Sequence, residues 1–467
     1  MRLKTVVHPD GLPTPLRYWA MLATALGVTM AVLDSAVANV ALPAIARQLH
    51  VAPAEAIWII NAYQLAIVVS LLPLASLGEL IGYRRVYVSG LAVFTIASLG
   101  CALSHSLPTL IAARLLQGLG AAGVMSVNLA MVRFIYPHAQ LGRGIGLNAL
   151  IVAVASAIGP TVASAILSVA SWEWLFAVNV PIGIAAFVLG SRVLPYSELG
   201  HKPFDYVSAA LNAVMFGLFF VGVDTLTHGG GHGALAAVEI AIAVIAGTAL
   251  IRRELKTALP LIPIDLLRSA IFSLSVGTSI CSFTAYAMAF LALPFYLETV
   301  LHKSQVATGL LITPWPIAVA LAAPLAGRLA DRVPAAILGG LGLFALSGGL
   351  FLLATLPAEV SNLQIVWRMA LCGAGFGFFQ APNNRVLMLA APRSRSGAAG
   401  GMLAVSRLTG MTIGATLATV IFRLSSGSAS AIVLTVGAAF ALAAAAVSLT
   451  RLSRPQAKPV LAGAGTP

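Results

Sequence analysis

Long apolar runs alternate with short polar connections along almost the whole chain. A membrane crossing takes about 20 apolar residues at 1.5 Å rise per residue. On that scale the pattern predicts about fourteen spanning helices, with cores at 18–42, 57–77, 86–104, 108–132, 145–168, 174–193, 206–223, 234–251, 270–295, 306–326, 335–356, 365–389, 398–422 and 429–450. The longest polar connections are 194–205, 224–233 and 252–268. The first sixteen residues are polar and contain no short apolar core with a small-residue cleavage site, so the first span is expected to act as the insertion signal.

Composition agrees with that pattern. Of 467 residues, 59% are hydrophobic and 9% charged, against about 25% charged in soluble domains. A soluble fold could not hide so much apolar surface, which leaves an all-α polytopic membrane protein. The net charge of +13 is not a nucleic-acid footprint, because the basic residues fall between apolar runs. With the N-terminus inside, Arg84, Arg85, Arg133, Arg143, Arg192, Lys202, Arg252, Arg253, Lys256, Arg268, Arg328, Arg332, Arg393 and Arg395 lie on inner loops, and both tails are basic. By that count about twenty basic residues fall inside and about three outside. An even number of spans with both termini cytoplasmic is the self-consistent topology.

Other chemistry is excluded or bland. Cys101, Cys281 and Cys372 sit inside apolar runs and carry no disulfide or metal pattern. The run His228-Gly-Gly-Gly-His232 reads as a flexible outer loop, since two histidines make a poor metal site. No glycine is followed by lysine, so the nucleotide-binding P-loop is missing and uphill work would need an ion gradient or a partner. No histidine lies at depth, so an enzyme is not expected, and neither metal nor cofactor is implied.

The chain also repeats itself. Ala75-Ser-Leu-Gly-Glu-Leu-Ile-Gly82 ends the second span, and Gly327-Arg-Leu-Ala-Asp-Arg-Val-Pro334 ends the tenth. Aligned without gaps, Leu77 meets Leu329 and Glu79 meets Asp331. An offset of eight spans implies two six-helix bundles separated by two extra helices, a plan in which the binding site lies between the repeats. The expected divisions are a tail at 1–16, a bundle at 17–193, the extra helices and their loops at 194–268, a second bundle at 269–451 and a tail at 452–467.

Asp34 is the ionisable residue in the middle of the first apolar run, where an unpartnered carboxylate costs several kcal/mol. It lies about 12 Å from the outer end of span one, and Arg114 lies about 10 Å from the outer end of the oppositely directed span four. The two are therefore expected at one depth as a buried acid–base pair. Such a pair either holds the N-terminal half together or carries a proton. Gln117, one turn from Arg114, bonds it or faces a cavity, while Gly118 and Gly120 permit helix packing. Arg407 sits midway along span thirteen with no acidic partner evident, and Asn383 lies toward the inner end of span twelve. Trp315, between Pro314 and Pro316, is a candidate surface for a flat ligand or a packing tryptophan. Deep basic residues outnumber deep acids, which argues against a multiply cationic substrate.

Several motifs together resemble a known family. Leu33-Asp34-Ser-Ala-Val-Ala-Asn39-Val-Ala-Leu-Pro43, Leu77-Gly-Glu-Leu-Ile-Gly-Tyr-Arg-Arg85, Ala113-Arg114-Leu-Leu-Gln117-Gly-Leu-Gly120, Gly159-Pro160, Trp172-Glu-Trp174 with Asn179-Val-Pro-Ile-Gly183, and Gln380-Ala-Pro-Asn-Asn384 occur in order at the matching spans. The chain resembles the fourteen-span drug:proton antiporters of the major facilitator superfamily from about Trp19 to the last span. It departs from the family pattern at Glu79, Leu80, Tyr83, Ala163-Ser164 and Glu173. The resemblance implies export of amphipathic drugs or toxic organic compounds by alternating access, with Asp34 and Arg114 in proton coupling and Asn39, Gln117, Trp315, Asn383 and Arg407 in the substrate cavity. It further implies a cytoplasmic latch of Glu79, Arg84, Arg85, Arg143, Asp331 and Arg332, and a hinge or packing surface at Gly118, Gly159 and Pro160. The expected setting is a bacterial cytoplasmic membrane. The expected partners are a small amphipathic substrate, protons and lipid, the protein being a monomer that acts alone or with a periplasmic adaptor and binds no nucleic acid. A dedicated exporter of a metabolite or organic anion is the alternative.

Overall fold

The computed structural model describes residues 10–453 apart from 52, 57, 198, 200–202, 229–232, 258–262, 304, 358–359 and 426–428, and the described residues contain helices and no strand. The helices are α1 (Leu16–Gln48), α2 (Trp58–Ile81), α3 (Tyr83–Ala102), α4 (Leu107–Ile135), α5 (Leu141–Val169), α6 (Asn179–Val193), α7 (Tyr206–His228), α8 (Gly233–Glu254), α9 (Ala270–Phe295), α10 (Pro314–Leu329), α11 (Ala335–Ala354), α12 (Asn362–Ala390), α13 (Ser396–Leu424) and α14 (Ala429–Thr450). Short helical pieces at Glu173–Ala177 and Gln305–Ile312 lead into α6 and α10. Among the described residues, 12 helical stretches are long and apolar enough to cross a membrane, and Tyr206–Gly222 in α7 is a shorter apolar helix. The 29-residue α12 is not among the 12. It carries Arg368, Gln380, Asn383, Asn384 and Arg385, and the first and last of these are cationic at any physiological pH.

The helices pair in a pattern that repeats at an offset of eight. α2 packs on α4 as α10 packs on α12, α3 on α4 as α11 on α12, and α1 on α6 as α9 on α14. The same offset relates α1–α5 to α9–α13 and α3–α6 to α11–α14. α7 and α8 pair with each other, and α7 leans on α2, where Asn212 donates to the Val69 carbonyl at 2.9 Å. Prolines inside α2, α9, α10 and α12 (Pro73, Pro294, Pro324 and Pro382) remove a backbone donor each, which packed membrane helices tolerate.

Contacts between the two repeats run through α5–α10, α2–α13, α4–α13 and α5–α12. α5 and α10 approach closely because both are small there. A Cβ added at Gly142 would meet the Gly327 carbonyl oxygen, one at Gly327 would meet that of Gly142, and one at Gly146 would lie 2.9 Å from the Ala323 oxygen. Without a hydrophobic effect between helices in lipid, this backbone proximity is a main source of their attraction. All these residues lie toward the end where the basic connections gather, here termed the basic end.

Asp205 begins α7. It accepts hydrogen bonds from the Ser208 amide at 3.0 Å and hydroxyl at 2.9 Å, and it pairs with Arg253 at 3.2 Å. Partial burial pushes its carboxyl up, but the bonds from Ser208 and Arg253 outweigh burial and hold it below the usual value. A depressed acid stabilises above its unfolded pKa and stops doing so as pH falls through the folded one. Amide protection in the first turn of α7, corrected for intrinsic exchange, should therefore drop below about pH 4. Asp205→Ala should show that low protection already at neutral pH.

Candidate functional site

The carboxylate of Asp34 is buried, 3% exposed, where α1 faces α4 and α6. Arg114 on α4 forms an ion pair with it and is fully buried. Gln117, one turn further along α4, donates to Asp34 Oδ1 at 2.7 Å and to Ser98 at 2.9 Å, and accepts from Arg114 at 2.6 Å. Asn179, at the start of α6, donates to the same Asp34 oxygen at 3.1 Å. Arg114 Nε donates to the Ile59 carbonyl at 3.0 Å, and its guanidinium lies 4.2 Å from the Tyr63 ring centroid and 5.5 Å from that of Phe176. Tyr63 in turn donates to the Ala31 carbonyl at 3.0 Å. Five helices of one bundle, α1, α2, α3, α4 and α6, thus converge on this centre. The carboxylate charge is matched by one guanidinium and two amide donors, which is what a buried ion requires.

The local sequence explains the placement. Arg114 and Gln117 are three residues apart and share a face of α4. Gly118 opens the neighbouring face, where a Cβ would lie 2.5 Å from the Tyr63 carbonyl oxygen, so α2 and α4 can close around the pair. The expected pairing of Asp34 with Arg114 is present, and Gln117 bridges the two instead of facing a cavity. Asn179 belongs to a recognised motif but had no role assigned to it. Tyr63 carried no signal in the sequence at all.

A second charge cluster joins the two repeats at the basic end. Arg395, in the turn before α13, donates to Glu79 on α2 at 2.9 Å and to Asp265, in the turn before α9, also at 2.9 Å. Glu79 Oε1 accepts the Ala398 amide at 2.8 Å, and the Tyr83 hydroxyl accepts the Gly397 amide at 2.9 Å. Across the pseudo-symmetric interface, Asp331 after α10 pairs with Arg385 at 3.1 Å and accepts the Gly142 amide at 3.2 Å. Arg133 adds a bond to Ser396 at 2.9 Å.

Here the sequence expectation needs correcting. Glu79 and Asp331 are interface acids, but their partners come from the opposite repeat or a later helix. Arg84 turns to the Ser191 carbonyl and lies 4.1 Å from the Tyr196 ring centroid, while Arg85 donates to Ile81. Arg143 and Arg332 are exposed. A helix-flanking arginine bonds whatever carbonyl or ring it reaches first, and only tertiary structure brings Arg395 to Glu79.

Between the repeats lies a small cavity of about 100 Å³. Val28, Val32, Met125, Asn128, Asn148, Phe283, Gln380, Asn384 and Arg407 are on its wall. Drug-sized ligands occupy roughly 300–1,000 Å³, so the repeats have to separate before such a molecule fits. A larger groove of about 380 Å³ lies on the flank between α1, α5 and α10, bordered by Tyr18, Arg143 and Arg328. It is remote from the acid–base centre.

Arg407 therefore lines the central cavity, whereas Asn383 and Trp315, like Gln117, do not. Asn383 is buried, accepts from Arg451 at 2.8 Å and donates to Ser279 at 2.9 Å. Gln380 and Asn384, four residues apart, share the cavity face of α12, and Asn383 is turned away from them toward α9. Trp315 is 1% exposed, with ring centroids of Phe290 and Tyr286 at 5.2 and 5.9 Å. It is part of an aromatic layer, and Phe283 is the ring on the cavity wall. α5 runs unbroken through Gly159 and Pro160. The side chains of Asn39 and Pro160 lie outside the described residues, as do residues 229–232 of the expected outer loop.

The family profile described as Major Facilitator Superfamily matches residues 24–414 and 275–466. The chain is 51% identical to "Uncharacterized transporter YebQ" of Escherichia coli K12 over 97% of this chain and 99% of that one. It is 30% identical to "Riboflavin transporter RibZ" of Clostridioides difficile, over 85% of this chain and 86% of that one. With "Multidrug resistance protein Stp" of Mycobacterium tuberculosis it shares 32% identity, over 84% of this chain and 74% of that one. The crystal structure of the human organic anion transporter MFSD10 superposes with a TM-score of 0.66 at 13% identity, covering 94% of this chain and all of that one, which shows a shared fold.

Proposed function

The chain belongs to the major facilitator superfamily and is a transporter, not an enzyme, and from that premise we propose that it exports amphipathic organic compounds across a bacterial cytoplasmic membrane in exchange for protons. The reading has fourteen spans with both termini cytoplasmic, two six-helix bundles and α7–α8 between them. The observation that carries it is the Asp34 centre. A proton antiporter needs one buried group that can hold a proton in one state and release it in the other. Asp34 is the acid at mid-span, and Arg114, Gln117 and Asn179 are its hydrogen-bonding partners.

The basic-end contacts supply the other half of alternating access. With Glu79–Arg395 and the Gly142 amide bond to Asp331 formed, the bundles are held together on the cytoplasmic side. Opening inward has to break both. Protonation of Asp34 removes the charge that holds Arg114, so α1, α4 and α6 can repack and shift the balance between the two closures.

The relatives named for multidrug resistance and for riboflavin transport support export and a dedicated vitamin-like substrate respectively. The lining favours the first. It is mostly apolar with a few amides, which selects by size and burial more than by a fixed hydrogen-bond code. Cells expressing the protein should accumulate less of a fluorescent amphipathic dye than cells without it, and a protonophore should abolish the difference. A difference that survives the protonophore would sink the coupling.

A further inference from the structure

We propose that the central cavity recognises an anionic, flat amphipathic substrate through Arg407, an assignment that rests on the exporter reading above and names its substrate class. The argument starts from charge. No aspartate or glutamate lines the cavity among the described residues, and Arg407 is its one charged wall residue. Arg407 makes no hydrogen bond or ion pair among the described residues. Asp34, the acid that could balance it, is turned into the N-terminal bundle and fully engaged by Arg114, Gln117 and Asn179. The cavity therefore carries an unneutralised guanidinium in a poorly solvated setting, where a cationic ligand is repelled and an anion supplies the missing partner.

The rest of the wall refines the class. Asn128, Asn148, Gln380 and Asn384 place neutral amides from both repeats around the same space. Asn128 donates to Asn148 at 2.8 Å, and its own Oδ1 is buried without a partner, free to accept one N–H or O–H from a ligand. Val28, Val32, Met125, Leu129, Val152 and Leu403 supply apolar surface, and Phe283 supplies a ring face. Phe283 is backed by Phe376, with 5.3 Å between centroids, so the face is held rigid. A carboxylate, phenolate or enolate on an aromatic skeleton satisfies Arg407, the amides and the apolar wall together. A quaternary ammonium compound satisfies only the last. Arg407 lies on α13, which also contributes to the basic-end closure through Ala398. Neutralising it thus occurs on a helix that takes part in the basic-end closure.

The test is equilibrium binding to purified protein in detergent, with no gradient imposed. Fluorescein and rhodamine 123 share a xanthene core and carry opposite charge. Fluorescence anisotropy should show saturable fluorescein binding and rhodamine 123 binding at least about tenfold weaker. Arg407→Gln should weaken fluorescein by about tenfold or more, and Arg407→Lys should fall between, keeping the charge without the planar fork. Each variant is compared only if it elutes as the wild type does and unfolds at the same temperature. Equal binding of both dyes, no saturable fluorescein binding, or unchanged fluorescein affinity in Arg407→Gln overturns the assignment. Binding that depends on Arg407 in a protein without proton-driven transport would leave this site standing and sink the coupling. Proton-driven efflux of rhodamine 123 untouched by Arg407→Gln would do the reverse.

Discussion

Asp34→Asn should abolish pH-gradient-driven substrate uptake into everted membrane vesicles, down to the level of vesicles lacking the protein, while substrate counterflow without a gradient should persist. Asparagine has nearly the shape of aspartate, and its one oxygen can replace one carboxylate oxygen as acceptor, for Arg114 or for Gln117 and Asn179. The volume of the site is therefore kept, while the negative charge and the titratable proton are both lost, as in a permanently protonated carboxyl. Retained gradient-driven uptake in this variant means that the proton travels elsewhere. The partner variant behaves differently. Arg114→Ala leaves a carboxylate at 3% exposure with amides alone for partners. Breaking a buried pair by removing one member costs about 3–5 kcal/mol. The purified variant should unfold at a clearly lower temperature than wild type, and adding Asp34→Asn should restore much of the loss, because the orphaned charge is gone. Two roles for one pair, coupling and cohesion, separate in this way.

Arg395→Ala should shift the protein toward the inward-open state. Arg395 touches two acids at 2.9 Å, and both its own side chain and that of Glu79 are nearly buried, at 6% and 5% exposure. Losing the guanidinium strands Glu79 at the interface between α2 and α13. If roughly 3 kcal/mol of closure is removed, the ratio of closed to open changes by about 100-fold. A cysteine placed at Asn384, on the wall of the central cavity, reports this. With Cys281 replaced by serine, a membrane-impermeant maleimide added to everted vesicles should leave Asn384→Cys unlabelled in the otherwise native protein and label it in Arg395→Ala. Arg84→Ala and Arg85→Ala, whose side chains bond within their own bundle, should not raise labelling. Equal labelling of the Arg84 and Arg395 variants would show that the Arg395 contacts do not hold the cytoplasmic side shut.

Hydrophobic patterning by itself determined that the chain is helical and membrane-embedded, because a crossing segment must satisfy its own backbone and so announces itself as a long apolar run. Every run read from the sequence is helical, those at 174–193 and 306–326 as two successive pieces, and α1 continues past its apolar core to Gln48. The motif at Glu79 and its echo at Asp331 foretold the eight-helix offset seen in the packing. Asp34 and Arg114 were legible as a pair because two charges at matching depth in antiparallel helices have little else to bind. What only the tertiary structure decided is which side of each helix meets which neighbour. Sequence spacing places residues on a face, but rotation of that helix in the bundle selects its partner. Hence Arg395 rather than Arg84 or Arg85 reaches Glu79, Asn383 is spent on Arg451 and Ser279 while Gln380 and Asn384 line the cavity, and Trp315 packs where Phe283 is presented. These are contacts between residues far apart in the chain, and nothing local in the sequence encodes the rotation that makes them.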